Sequence, residues 1–206
     1  MIANGCKPWK TFFYSEDETD WFFDGGWKEW VEESKGKVFQ NSDIKKIEDA
    51  SIRRKERKRI SGAETQKTKT RTHYFSEWKA AFELYRQYGF CSVLSPYHPD
   101  CPDQNKVEIV KGKVSQVWDL AIATPVKNEN GEDEDIRAGL PDLFVYHPDN
   151  EKEWFFAEVK GPTDRIRNKQ EAKSKLLDDA AGKCVSFLIE LKRTTDPFTP
   201  PRNLSD

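Results

Sequence analysis

No stretch of the 206-residue chain approaches the ~20 consecutive apolar residues of a membrane span, so insertion into a bilayer is not expected. The N-terminus, MIANGCKPWKTFFY, has no basic start followed by an apolar stretch and a small-residue cleavage site, so an intracellular setting is expected rather than secretion. Cysteine is scarce. Cys6, Cys91, Cys101 and Cys184 are too scattered for a disulfide framework, which suits a reducing compartment. A CxxC pair is also missing: Cys91, His98 and Cys101 offer three zinc ligands and no fourth, and they read better as a buried strand cysteine and parts of a proline-rich loop. No internal repeat is visible. What remains is a polar chain, 36% hydrophobic with a mean hydropathy of -0.86, long enough for one substantial core with an extension attached.

The net charge of -2 hides an asymmetry along the chain. Between Ile52 and Thr72, nine bases (Arg53, Arg54, Lys55, Arg57, Lys58, Arg59, Lys67, Lys69 and Arg71) face only Glu56 and Glu64, a local net of +7. Glu129, Glu132, Asp133, Glu134 and Asp135 form an acidic run without a base, read as a solvated loop. The basic stretch enters the polar segment SGAETQKTKTRT, which reads either as an arm that neutralises DNA phosphates or as a solvated helix face and tail. Nine aromatics fall in the first thirty residues. They could stack on bases, but the acids among them would repel phosphate, so a short hairpin or helix docked on the core is the better reading. Composition thus divides the chain into an extension with a basic arm, residues 1–72, and a unit of residues 73–206.

Helical composition marks 27–37 and 43–59, and Tyr74, Trp78, Ala81, Phe82 and Tyr85 recur at helical intervals up to a stop at Gly89. A strand is expected over 90–94, an apolar segment of undecided type over 117–123, and turns in YHPDCPDQNK between them. From Gly139 the chain reads GLPDLFVYHPDNEKEWFFAEVKGPTDRIRNKQ. Strand alternation puts Asp142, Phe144 and Tyr146 on one face, and Trp154, Phe156, Glu158 and Lys160 on one face of the next strand, with HPDNEKE as the turn. In an antiparallel hairpin the start of the first strand lies beside the end of the second, so Asp142 meets Glu158 and Lys160. A helix follows from Thr163 or Asp164, with Asp164 as its N-cap, and ends at Gly182 before a strand over 185–191.

Two carboxylates and a lysine at one strand pair suit metal-dependent phosphodiester hydrolysis. Asp142 and Glu158 supply hard oxygens for Mg²⁺, the Val159 carbonyl is a further candidate ligand, and Lys160 can orient or help deprotonate a water. The alternative is a surface ion-pair ladder in which Lys160 neutralises both acids. GLPD before a hairpin together with EVKGPxD before a helix favours the site over the ladder.

These residues resemble the VRR-NUC branch of the PD-(D/E)XK nuclease superfamily, which includes the nuclease domain of the Fanconi-associated nuclease and stand-alone phage and bacterial nucleases. The likeness is strong over about thirty residues, GLPDLFVY, AEVKGPTDRI and Gln170, and weaker from Tyr74 to Lys192. It implies an α/β restriction-endonuclease-like core, a mixed sheet flanked by helices, with the N-terminal helical and aromatic extension added. It further implies dependence on Mg²⁺ or Mn²⁺ and cleavage of DNA, often branched or flapped. On its pattern Asp142, Glu158, Lys160 and Gln170 are the catalytic set. A glutamate of an early helix joins Asp142, Glu158 and Val159 as a metal ligand; Glu77 fits its spacing better than Glu83. Arg53, Arg54, Lys55, Arg57, Lys58 and Arg59, with Arg165, Arg167 and Lys169 in the first turns of the later helix, are candidate DNA contacts. A homodimer stays open. The readings that compete are a restriction-type endonuclease, which would need base-reading loops, and a catalytically silent nucleic-acid-binding scaffold.

Overall fold

A computed structural model describes residues 7–61, 74–128 and 130–200. The elements are β1 (Lys7–Tyr14), α1 (Glu16–Trp21), α2 (Trp27–Ser34), α3 (Asn41–Ser61), α4 (Phe75–Tyr88), β2 (Cys91–Leu94), α5 (Gln104–Lys113), α6 (Ser115–Val117), β3 (Leu143–His147), β4 (Asn150–Lys160), α7 (Asn168–Ala181) and β5 (Ser186–Arg193). The strands form one mixed sheet in the order β1-β5-β4-β3-β2. β2, β3 and β4 are antiparallel neighbours, while β4, β5 and β1 run parallel. The chain is thus α/β with a five-stranded mixed sheet flanked by helices, an architecture compatible with a restriction-endonuclease-like core.

Two cores sandwich this sheet. Leu143, Val145, Phe155, Ala157, Val159, Ile189 and Leu191 face α2, α3 and α4 through Trp30, Ile47, Trp78 and Phe82. Phe144, Phe156 and Val185 face the other way, against Val107 and Val110 of α5, Trp118 and Ile122 after α6, and Leu177 of α7. Successive residues of β3 and β4 therefore alternate between two apolar layers, as the period of a strand dictates. The N-terminal aromatics are mostly core: Phe12, Phe22, Phe23, Trp27 and Trp30 are buried, and Trp30 stacks on Phe82 at 4.6 Å and 9°. Residues before position 72 thus share a sheet and a core with those after it.

Several expectations change. The stretch of aromatics begins as an edge strand, β1, rather than as a hairpin. α5 begins in the last three residues of the segment read as turns and continues through residues 107–113, a stretch with no expected element; its apolar residues lack a clean helical stripe because Lys106 is buried. The turn after β3 is confined to 147–150, since NEKE already belongs to β4. α7 starts only at Asn168: Asp164 accepts from the Gly161 N–H at 3.0 Å and closes a turn around Pro162, so it does not cap the helix. Arg165 and Arg167 consequently precede the helix, and Lys169 alone of the three lies within it. No zinc set forms either. Cys101 donates its thiol to the Pro96 carbonyl at 3.1 Å, and among the described residues no group of three or more His, Cys, Asp or Glu side chains is placed to hold a metal ion. No helix of the described residues is long and apolar enough to cross a membrane.

One buried ion pair joins three elements. Lys106 of α5 donates to Asp43 of α3 and to the Leu94 carbonyl at the end of β2 (2.9 Å), and both charged side chains are about 1% exposed. Asp43 also accepts from the Gln40 N–H, at the start of α3. Removing one member leaves a buried charge without a partner, which costs about 3–5 kcal/mol. Lys106→Ala is expected to lose that much in urea unfolding; a loss below ~1 kcal/mol would mean that the pair contributes little.

Candidate active site

Register builds the site. Leu143 pairs with Ala157 across β3 and β4, so Asp142, one residue before β3, stands beside Glu158. Its Oδ2 accepts from the Val159 N–H at 2.8 Å, and its backbone carbonyl accepts from Ser95 at 2.8 Å. Glu158 is 2% exposed. Its Oε1 accepts from Lys160 Nζ at 2.6 Å and from the side-chain amide of Gln170. Gln170 Oε1 in turn accepts from Lys160 Nζ at 3.3 Å and from the Arg167 N–H at 2.9 Å. Gln170 therefore caps the start of α7 and fixes the Glu158–Lys160 pair with the same side chain, a reciprocal arrangement of the capping-box kind.

Crowding of like charge governs the electrostatics. Burial, reinforced by the neighbouring Asp142 carboxylate, pushes Glu158 up to about 8. Burial likewise raises Asp142, against the pull of the Val159 N–H and Lys160. Glu77, in the first turn of α4, is pushed up to about 8 by burial and by Asp142. A cleft of about 180 Å³ has Glu77 and Asp142 on its wall, with Asp43, Lys46, Tyr74 and Pro96 around them. Glu83 lies elsewhere: it accepts from Lys79 and Gln87, and Lys79 also binds Glu18.

Residues 121–184 match the family model of the VRR-NUC domain. No curated protein matches the chain. The VRR-NUC match implies a nuclease family, hence a nucleic-acid substrate, and VRR-NUC nucleases are generally metal-dependent. The matched segment contains Gly139, Asp142, Glu158, Lys160 and Gln170, whereas Glu77 lies outside it.

The remaining candidates are spread around this centre. Arg165, Arg167 and Lys169 are exposed beside Lys160, on the approach to α7 and in its first turn. Arg53 and Lys55 are exposed on α3, but Arg54 pairs with Asp20 and lies over the Phe23 ring at 5.1 Å, which withdraws it from the solvent-facing set. Arg57, Lys58 and Arg59 belong to the last turns of α3, where only the helical backbone is described. The arm that continues through 62–73 lies outside the described residues.

Sequence reading missed one determinant, Gly139. Its φ is 75°, and a Cβ there would stand 2.1 Å from the Lys169 carbonyl oxygen. The loop carrying Asp142 thus lies backbone against backbone on the helix turn carrying Gln170. Because a left-handed φ alone costs a non-glycine residue about 1–2 kcal/mol, Gly139→Ala is expected to destabilise by more than that, with the excess coming from displaced α7. An unfolding free energy within ~0.5 kcal/mol of wild type would remove this constraint.

The raised carboxyls also set a pH dependence. In the metal-free protein the folded state keeps protons that the unfolded chain releases from the ordinary carboxylate range upward, so stability falls as pH rises through that range toward about 8. The thermal midpoint is expected to drop over this window, and less steeply in Glu77→Gln; a midpoint that rises there would contradict the assignment.

Proposed function

We propose that the chain is a divalent-metal-dependent nuclease that hydrolyses DNA phosphodiester bonds at flap, junction or branched structures, in replication, repair or recombination. The observation that carries this reading is the meeting of Asp142, Glu158, Lys160 and Gln170 in one hydrogen-bonded cluster inside the VRR-NUC segment, beside a cleft that also takes Glu77. The donor set fits a hard cation such as Mg²⁺ or Mn²⁺. Burial disfavours charge on both Asp142 and Glu158, a cost that a cation between them would offset, and all their donor atoms are oxygens. Glu77, Asp142, Glu158 and the Val159 carbonyl are the residues that would hold it; among the described residues the three carboxylates are not already set as a ligand group, so Glu77 would have to close in on the other two.

When bound, such a cation stabilises charge on the phosphate oxygens and lowers the pKa of a water. The chain's own residues supply the rest. The Val159 N–H holds the Asp142 carboxylate in place, and the Gln170 amide holds Glu158. Lys160 Nζ donates from the same cluster and orients the attacking water. Arg165, Arg167 and Lys169 offer exposed charge to flanking phosphates, and Arg53 and Lys55 do so from α3.

The test is cleavage of flap, junction, single-stranded and blunt linear DNA with Mg²⁺ or Mn²⁺. Chelation is expected to abolish activity. Asp142→Asn keeps an acceptor for Val159 while removing the charge, and Lys160→Met removes the donor; each is expected to lower the rate about a hundredfold or more, the scale of losing one electrostatic stabiliser. A wild-type chain that cuts none of the four, or variants that cut as it does, would refute the reading.

A further inference from the structure

α3 repeats every 3.6 residues, so Lys46 and Arg53, seven apart, share a face and stand about 10 Å apart along the axis. That face starts at the cleft: Lys46 lines it opposite the acidic group of Glu77 and Asp142. Asp43, one turn earlier on the helix, attracts it from a distance, while its carboxylate is bound to Lys106 and the Gln40 N–H. Among the described residues no carboxylate lies within 4.0 Å of the Lys46 ammonium. The cation is half-buried, and burial together with nearby Lys106 pushes it below the ordinary lysine range. A half-buried ammonium with no carboxylate in contact among the described residues, set in a cleft, can still take an anion.

Tyr74 borders the same cleft, with its ring centroid 6.0 Å from the Lys46 ammonium and 5.9 Å from the Trp78 ring. The residue is 51% exposed. It also holds a left-handed backbone (φ 74°) at the N-cap of α4, a conformation few non-glycine residues adopt and one that concentrates at ligand clamps. A half-exposed aromatic ring beside a cation is a pairing that can receive a base and its phosphate from an unpaired strand.

We infer that Lys46 and Tyr74 form the strand-binding wall of the cleft, Lys46 holding the phosphate next to the one that is cut and Tyr74 stacking on the base of that nucleotide. The inference rests on the nuclease reading of the cleft and names its substrate class: a single-stranded segment, free or as a flap, in preference to blunt duplex. A paired duplex keeps its base faces stacked inside, so it can offer Tyr74 nothing. Arg53, two turns on from Lys46 and beyond Asp49, offers exposed charge to a phosphate further along the strand.

The test is equilibrium binding of labelled single-stranded and blunt duplex oligonucleotides over a salt series, with Ca²⁺ in place of the catalytic metal so that hydrolysis does not enter. Lys46→Gln is expected to weaken single-strand binding about tenfold and to reduce the slope of log affinity against log salt by about 0.7, the share of one phosphate contact on a single strand. Tyr74→Gly suits the left-handed backbone while removing the ring, and is expected to cost about tenfold or more, with Tyr74→Phe close to wild type. Duplex affinity is expected to change less than threefold in all three. An unchanged slope in Lys46→Gln, or equal losses on single strand and duplex, would overturn the inference. Failure of the wild type to cut DNA would refute the nuclease reading through a separate measurement, since these affinities are read without cleavage.

Discussion

Burial of both faces of β3 and β4 is the constraint on which the rest depends. Leu143, Val145 and Ala157 fill one layer while Phe144 and Phe156 fill the other, so a one-residue slip would exchange the two sets and misfit both cores. The same register puts Asp142 beside Glu158, and the parallel pairing of β4 with β5 aligns Glu158 with Leu188 and Lys160 with Glu190. Placement of the polar cluster is thus a by-product of apolar packing, which is far stronger than any attraction among the cluster's own members.

Given that register, the electrostatics follow. Two acids brought together in a buried setting are satisfied by the Val159 N–H, by Lys160 and by the amide of Gln170, and burial favours their protonated forms. Gln170 does this from the first turn of α7, whose position is set in turn by the Gly139 contact. The loop before β3 and the helix after β4 therefore move together, so the carboxylates and the amide keep their mutual geometry. Burial is costly here because polar groups are crowded, and it is tolerated because every one named has a partner.

The central hairpin, α4 with its glycine stop, α7 with its end at Gly182 and the strand after it are legible from periodicity and turn chemistry alone, because each buries a regular apolar pattern. The meeting of Asp142 with Glu158 and Lys160 is legible for the same reason, since hairpin pairing is local. What escapes the sequence is long-range. β1 has no local partner, so nothing near Trp9 or Phe12 reveals that it pairs with a strand at the far end of the chain. α5 hides behind Lys106, a charge in a core position whose partner Asp43 lies 63 residues away. The late start of α7 escapes because Asp164, a good capping residue, finds the Gly161 N–H nearer than any helix turn. Arg54 looks like one more base in a basic run until Asp20 and Phe23, from another element, are seen to hold it.

The pairing of β1 with β5 carries a consequence for how the protein is made. Thr11 and Glu190 touch across 179 residues of sequence, so β1 leaves the ribosome well before the strand it pairs with. At about 5–20 residues per second, that interval is roughly 10–40 s. Throughout it a strand rich in bulky rings, with Trp9, Phe12 and Phe13, stays without its sheet. Rings that end in the core are thus exposed for that interval, and slower translation lengthens it.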